Sequence, residues 1–295
     1  MTRNLIVNAD GFGFTAGINR GIEQAVQDGI VTSISVNANF DACEQLPSFV
    51  GRFPHLSVGV HVNPAVGRPV APAREIPTLV NRRGELHGAE FTRRLLLRQI
   101  RSEELELEVS LQVARIQEMG VVVTHLDSHQ NRHLYPPFFF VFLALLTKHR
   151  VPCMRTHAHF VLAEDAARRR HMPGYFTRHP FRAVTHVAAD LEMRYARRRG
   201  AIMADRLLST SNTGDKADQS KWTQLIRNVP QGWSEVYCHP AIPDAELERW
   251  ATYVEPRRRE IDVLTSAETR AEVERSGVTL RSFHDLIRAA SAGRT

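Results

Sequence analysis

Lysine is almost missing from this chain. It occurs only at Lys148, Lys216 and Lys221, so a net charge of +6 rests nearly wholly on arginine. Cysteine is also scarce: Cys43, Cys153 and Cys238 are isolated, odd in number and without metal-type spacing. That excludes a disulfide framework, suits a reducing compartment and makes the thiols buried apolar filler. No stretch approaches the roughly 18 apolar residues of a membrane span. The most apolar run, Phe138 to Leu146, is closed by Lys148, His149 and Arg150 and reads as a buried helix. Met1 to Val7 enters a strand with no signal-peptide pattern, so the expected location is cytoplasmic. Internal repeats and low-complexity segments are absent. The arginine triplets 168–170, 197–199 and 257–259 fall in helical-looking segments without aromatic interleaving or a nucleic-acid motif. They read as solvated helix faces, and no nucleic-acid partner is expected.

What is present is ordinary for a globular protein: 24% charged and 43% hydrophobic residues over 295 positions, with no composition break. One domain, 1–295, follows. Strand patterns at Leu5-Ile6-Val7, Thr32 to Asn37, Leu56 to Val60, Gly120 to Thr124, Pro152 to Arg155, Gly232 to Cys238 and Val278 to Leu280 alternate with helical ones. The helical patterns are Gly17 to Asp28, Cys43 to Val50, Phe91 to Met119 as one helix or two in tandem, and Pro136 to His149. Later ones are Lys221 to Asn228, Asp244 to Arg259, Thr265 to Arg275 and Phe283 to Ala290. Residues 157–220 read as a divergent, mainly helical region. The stretch 64–90 loses all periodicity, which inside a compact domain marks an insertion loop or lid. Repeated strand-then-helix units imply parallel strands with right-handed crossovers, either doubly wound or closed into a barrel.

Four of these strands finish on a ligand or proton carrier: Asp10, His61 followed by Asn63, His125 with Asp127, and His239. In a parallel sheet all four ends point to one rim. Imidazoles and a carboxylate, with positions left for water, form the ligand set of a catalytic divalent metal. His61 and His125 sit at matching strand ends and are the expected ligands. Asp10 either joins them or closes the glycine-rich turn, and Asp127 is either a ligand or the partner that fixes a histidine tautomer. His129 and His133, with Asn63 and Asp127, are expected to line a polar substrate pocket, and His239 is held extended by Pro240 and aimed off its strand.

Asn8-Ala9-Asp10-Gly11-Phe12-Gly13, Gly17 to Ile22, Gly29 to Ser33, Gly59-Val60-His61, Thr124 to His129 and Glu235 to Pro240 come in an order that resembles the YdjC-like carbohydrate deacetylases. That group includes chitooligosaccharide deacetylase and the hopanoid-associated protein HpnK. The resemblance runs from about residue 4 to 155 and resumes near 232. It implies an irregular TIM-like (β/α) barrel that uses a divalent metal, Mg2+ or Zn2+, to remove acetyl groups from N-acetylated amino sugars. The late motif, Glu235 to Pro240, leans toward the hopanoid-associated branch. A lipid-linked sugar, peripheral membrane attachment and a homodimer are then open. By resemblance, His61 and His125 match the metal histidines and Asp10 matches the general base; His239, at its own strand end, is expected to serve as general acid.

One position departs from that pattern. The family usually shows Asn-Ala-Asp-Asp-Phe-Gly, with the second aspartate on the metal, and here that position is Gly11. Three outcomes are open: Asp10 moves into the metal shell, Asp127 substitutes, or the protein binds sugar with little turnover.

Overall fold

In the computed structural model, which describes residues 2–158, 180–208, 218–250 and 253–293, one parallel sheet runs through the molecule. Its strands are β1 (Arg3–Phe12), β2 (Ser33–Val36), β3 (Ser57–Val62), β4 (Val123–Ser128), β5 (Cys153–Met154), β6 (Arg206–Leu208), β7 (Gly232–Cys238) and β8 (Val278–Arg281). The order is β5-β4-β3-β2-β1-β7-β6, with β8 paired to the first half of β1. Every pairing is parallel. β1, β2, β3 and β4 are covered on both faces, which is why they read as apolar runs.

The sheet curls into a half-barrel. Single contacts link its two edges: Met154 N–H donates to Ile202 O at 3.0 Å and Leu207 N–H to Ala158 O at 2.7 Å. β6 lies in the stretch that periodicity assigned to helix; three residues are too few to show alternation. The rest of that stretch contains α6 (Pro180–Arg198), and residues 159–179 and 209–217 lie outside the described residues.

Helices pack on the sheet through the predicted apolar stripes. α1 (Ala16–Gln27) starts at Thr15, whose hydroxyl accepts the Ile18 N–H, and buries Ile18, Ile22, Ala25 and Val26. Burial of each large side chain stabilises by about 1.5–3 kcal/mol. Gly21 is needed there, since a Cβ would lie 2.5 Å from the Ala241 backbone. This close approach seats the residues that follow His239 against α1. α2 (Leu46–Arg52) precedes β3, and Phe91 to Met119 proves to be the tandem pair α3 (Phe91–Leu96) and α4 (Ser102–Glu118). α5 (Pro136–Lys148) buries Phe138, Phe139, Phe142 and Leu145. α7 (Gln219–Arg227) precedes β7. The single helix expected at Asp244 to Arg259 is two, α8 (Ala245–Trp250) and α9 (Glu255–Thr265), followed by α10 (Ala267–Arg275) and, after β8, α11 (Phe283–Ala292).

The stretch after β3 is tied down along its length by α4. Glu108 accepts the Val70 and Ala71 N–H groups at 3.0 and 2.8 Å. Glu104 accepts the Thr78 N–H at 2.7 Å, and Gln112 accepts that of Asn63 at 2.8 Å. Residues 104, 108 and 112 are four apart and so form one buried polar row on a helix whose apolar residues alone were conspicuous in sequence.

Candidate functional site

The C-terminal ends of three strands bring Asp10, His61 and Asp127 together. All three are buried, and one donor atom from each lies within 4.8 Å of the others. Parallel register explains the meeting: His61 is paired with Asp127 across β3 and β4, and Asp10 with Ser35 across β1 and β2. His61 Nδ1 lies 2.9 Å from Asp127 Oδ1, which orients the ring.

Arg155, just past β5, holds the cluster from below. Its Nη1 and Nη2 donate to the two oxygens of Asp10 at 2.7 Å each, Nη2 also reaches Asp127 Oδ2 at 2.8 Å, and Nε donates to Glu235 at 2.6 Å. Asn8 Nδ2 donates to Asp10 Oδ1 at 2.7 Å and to Ser35 Oγ at 2.8 Å. Burial opposes ionisation of Asp10, but the Arg155 guanidinium overrides it and holds the carboxyl well below its usual range. Burial likewise opposes protonation of His61, yet Asp127 and Asp10 leave its pKa raised on balance. Glu235 is pushed up to about 7, by burial first and then by the two aspartates, with Arg155 opposing.

Arg155 and Glu235 were not singled out from sequence. An arginine beyond a two-residue strand gives no periodic signal. An acid between Ser234 and Val236, inside a strand, is the one sequence signal for Glu235.

The donor set fits a divalent cation. Asp10 and Asp127 share one guanidinium with Glu235, and a cation that takes the place of the His61 proton would balance the charge left over. Two carboxylates and an imidazole suit Mg2+, Mn2+ or Zn2+. Of the four lone-pair positions on Asp10, Arg155 takes two and Asn8 a third, which leaves one.

His125 is not among these donors. Its ring is fully buried beneath the cluster, stacked on Phe283 with centroids 3.8 Å apart. Nδ1 lies 2.9 Å from the Thr124 hydroxyl and Nε2 3.2 Å from that of Ser35. Both nitrogens are therefore engaged, and burial drives the pKa to about 3, so the ring is neutral. The expected pairing of His61 with His125 is replaced by one with Asp127, two residues on along the same strand face.

His129 instead stands beside His61, its ring edge-on with centroids 5.7 Å apart. Burial, then His61, Arg132 and Arg257, push its pKa to about 3. His133 lies deeper, stacked on Phe142 and bonded to Ser128, so it is packed rather than open to a pocket. Asn63 is also enclosed: its side chain holds Asn39, Ala65 and Val66 in the turn after β3. His239 is half-buried at the end of β7, its N–H on Glu260, and near enough for its charge to bear on Asp10.

Gly11 adopts φ +107°, in the left-handed region that favours glycine. A Cβ there would meet only Ile18 at 3.8 Å and the Asn37 side-chain oxygen at 3.9 Å. That oxygen is buried without a hydrogen-bond partner among the described residues.

Residues 4–275 match the family model described as YdjC-like protein. A carbohydrate deacetylase of Geobacillus stearothermophilus is 31% identical over 287 residues, covering 97% of this chain and 98% of that protein. A chitooligosaccharide deacetylase of Citrobacter koseri is 29% identical over 290 residues, covering 97% of this chain and all of its own. A crystal structure from Enterococcus faecalis V583 superposes with a TM-score of 0.79 over 97% of this chain and 99% of that one, at 24% identity. It bears on the fold alone.

Proposed function

The chain belongs to the YdjC-like protein family, and from that membership we propose that it is a metal-dependent hydrolase removing N-acetyl groups from an acetylated amino sugar. The observation that carries the reading is the buried Asp10–His61–Asp127 group at the ends of β1, β3 and β4. Relatives named as carbohydrate and chitooligosaccharide deacetylases supply the substrate class.

His61 and Asp127 would hold a divalent ion, which when bound would supply Lewis acidity toward the acetamide carbonyl, and the one acceptor position left on Asp10 is kept for a proton. His61 offers its remaining nitrogen, since Nδ1 is engaged by Asp127. His129, edge-on to His61, is the further imidazole we assign to the site. Asp10, kept ionised by Arg155, accepts the proton of the attacking water. His239 at the same rim delivers a proton to the departing amine. Parallel α/β folds carry their sites at the C-terminal ends of their strands, which supports the reading.

The test is acetate release from N-acetylglucosamine oligomers by purified protein with Mg2+, Mn2+ or Zn2+, against chelator-treated protein and the His61→Asn and Asp127→Asn variants. Release that depends on the metal and is lost in both variants supports the reading. No release with any metal sinks it.

A second reading, a sugar-binding homologue with little turnover, draws on Gly11. It predicts sugar affinity by titration calorimetry without acetate release, and release gained in Gly11→Asp.

A further inference from the structure

Packing leaves one side of α6 open. Val184, Val187, Leu191 and Tyr195 follow one another at spacings of three and four, so they share one face of that helix. They are 64%, 61%, 59% and 38% exposed, whereas Ala189, Met193 and Ala196 on the opposite face are buried. Phe140 of α5 widens the same surface: it is 59% exposed and meets Tyr195 edge-on, with ring centres 6.1 Å apart. Scattered apolar residues on a surface are ordinary, but a line of them along one helix marks an interaction face.

The border of this face is cationic. Arg198 continues the line one turn past Tyr195, and Arg194 and Arg199 flank it one turn from Leu191 and Tyr195; all three are exposed. Arg199 donates to the uncharged Tyr195 hydroxyl at 3.2 and 2.9 Å. Among the described residues the one ion pair on α6 joins Arg194 to Asp190, at 2.7 Å. Glu192, the other acid of the helix, is half-buried, and burial pushes its pKa up to about 7. The free charge along the face is therefore positive. Beside Tyr195 the packing also leaves a cavity of about 390 Å³, whose walls include Phe140, Leu143, Ala144, Pro152 and the Arg199 side chain.

A line of aliphatic and aromatic side chains bordered by arginine matches the boundary between acyl chains and anionic headgroups. The apolar groups enter that boundary while guanidinium meets phosphate. Among the described residues no helix is long and apolar enough to cross a membrane, so the match is to a surface. A second copy of the chain fits less well, because a net charge of +6 opposes self-association.

We propose that α6 and Phe140 dock on a bilayer surface containing anionic phospholipid, with the apolar line in the headgroup boundary and Arg194, Arg198 and Arg199 on the phosphates. The cavity beside Tyr195 gives an acyl chain room to enter. Docking through this face is independent of the deacetylase reading and requires no metal.

The test is co-sedimentation of the full chain with vesicles of phosphatidylcholine, alone or mixed with phosphatidylglycerol, at low and high salt. The mixed vesicles are expected to bind about tenfold or more tightly, an advantage that salt reduces. Leu191→Glu should weaken binding about tenfold or more and Arg198→Gln about fivefold. Arg288→Gln removes the same charge from α11 and should change binding by about twofold or less. Leu191 and Arg198 are both exposed, so thermal melts of their variants should match the parent protein. Equal binding to the two kinds of vesicle, or binding that survives Leu191→Glu, overturns the proposal. So does a parent protein that binds neither vesicle while Leu191→Glu lowers the melt, which shows that the chain itself covers the face. Ultracentrifugation without lipid reads the remaining occupant. A dimer that dissociates in Leu191→Glu, from a parent protein that binds no vesicle, assigns the face to a second copy instead.

Discussion

Arg155 holds Asp10 through two parallel hydrogen bonds of 2.7 Å while its Nε binds Glu235 at 2.6 Å, so one guanidinium orders carboxylates from β1 and β7, with a further contact to Asp127 on β4. The candidate site therefore depends on a residue that is not itself one of the three grouped donors.

Replacing Arg155 by Met leaves Asp10, Asp127 and Glu235 buried without their guanidinium partner. Such a change costs about 3–5 kcal/mol, readable by denaturant unfolding at neutral pH. Asp10, held below its ordinary pKa, contributes stability that is fully present above the unfolded carboxylate range and lost as pH falls through its folded value. In Arg155→Met that contribution goes, so the stability deficit should shrink toward acid pH. A deficit that stays constant with pH would show that Arg155 acts by packing alone.

His61 titrates with the opposite sign. Its pKa is raised against the cost of burial by Asp127. Its contribution is fully present below the ordinary imidazole value near 6.5 and is lost as pH rises through the raised folded value. Metal-free protein should thus lose stability above neutral pH, and His61→Asn should flatten that slope. A divalent ion competes with the same proton, so binding should release about one proton. Calorimetry in two buffers of different ionisation enthalpy measures it. Proton release that is unchanged in His61→Asn contradicts this assignment.

His125 and Asp127 separate structure from metal binding. His125→Ala removes a buried ring with two hydrogen bonds and a stack on Phe283, a loss of about 2–4 kcal/mol in stability with metal affinity largely kept. Asp127→Asn should do the reverse and weaken metal binding about tenfold or more. Thermal melts and metal titration of both variants decide. A His125→Ala protein that folds with full stability yet fails to bind metal would restore His125 as a ligand.

The sequence made much of this legible because parallel β/α order places strand ends together, so Asp10, His61 and Asp127 could be expected on one rim. The choice between His125 and Asp127 was not legible. The two share a strand face, and only depth below the rim distinguishes them. Arg155 reaches the cluster from 145 residues beyond Asp10 in sequence, a contact that no local pattern encodes. β6 was too short for its period to register.

The segment after β3 offers a test of anchoring. Glu108 is buried and accepts two backbone N–H groups, Val70 and Ala71, and its pKa is raised by burial against those bonds. Glu108→Ala leaves both donors unmet at a cost of about 1–3 kcal/mol, confined to residues 64–88. Hydrogen exchange there should accelerate while the strands stay protected. Uniform acceleration over the whole chain would show instead that Glu108 supports the global fold.

Gly11 is the position where added chemistry can be read most directly. At φ +107° an aspartate incurs about 1–2 kcal/mol of backbone strain, although the space beside Ile18 and Asn37 admits its Cβ. The new carboxylate would also face the Asn37 oxygen, a buried acceptor without a partner among the described residues. Two oxygens brought together repel unless a cation lies between them. Gly11→Asp should therefore melt below the parent protein in chelator and regain that loss when Mg2+ or Zn2+ is added, with metal affinity raised about tenfold. Thermal melts with and without chelator read this directly. A Gly11→Asp protein with the same deficit in both conditions would mean that the added carboxylate never reaches a metal, and that Asp10 and Asp127 already provide the only carboxylates the site can use.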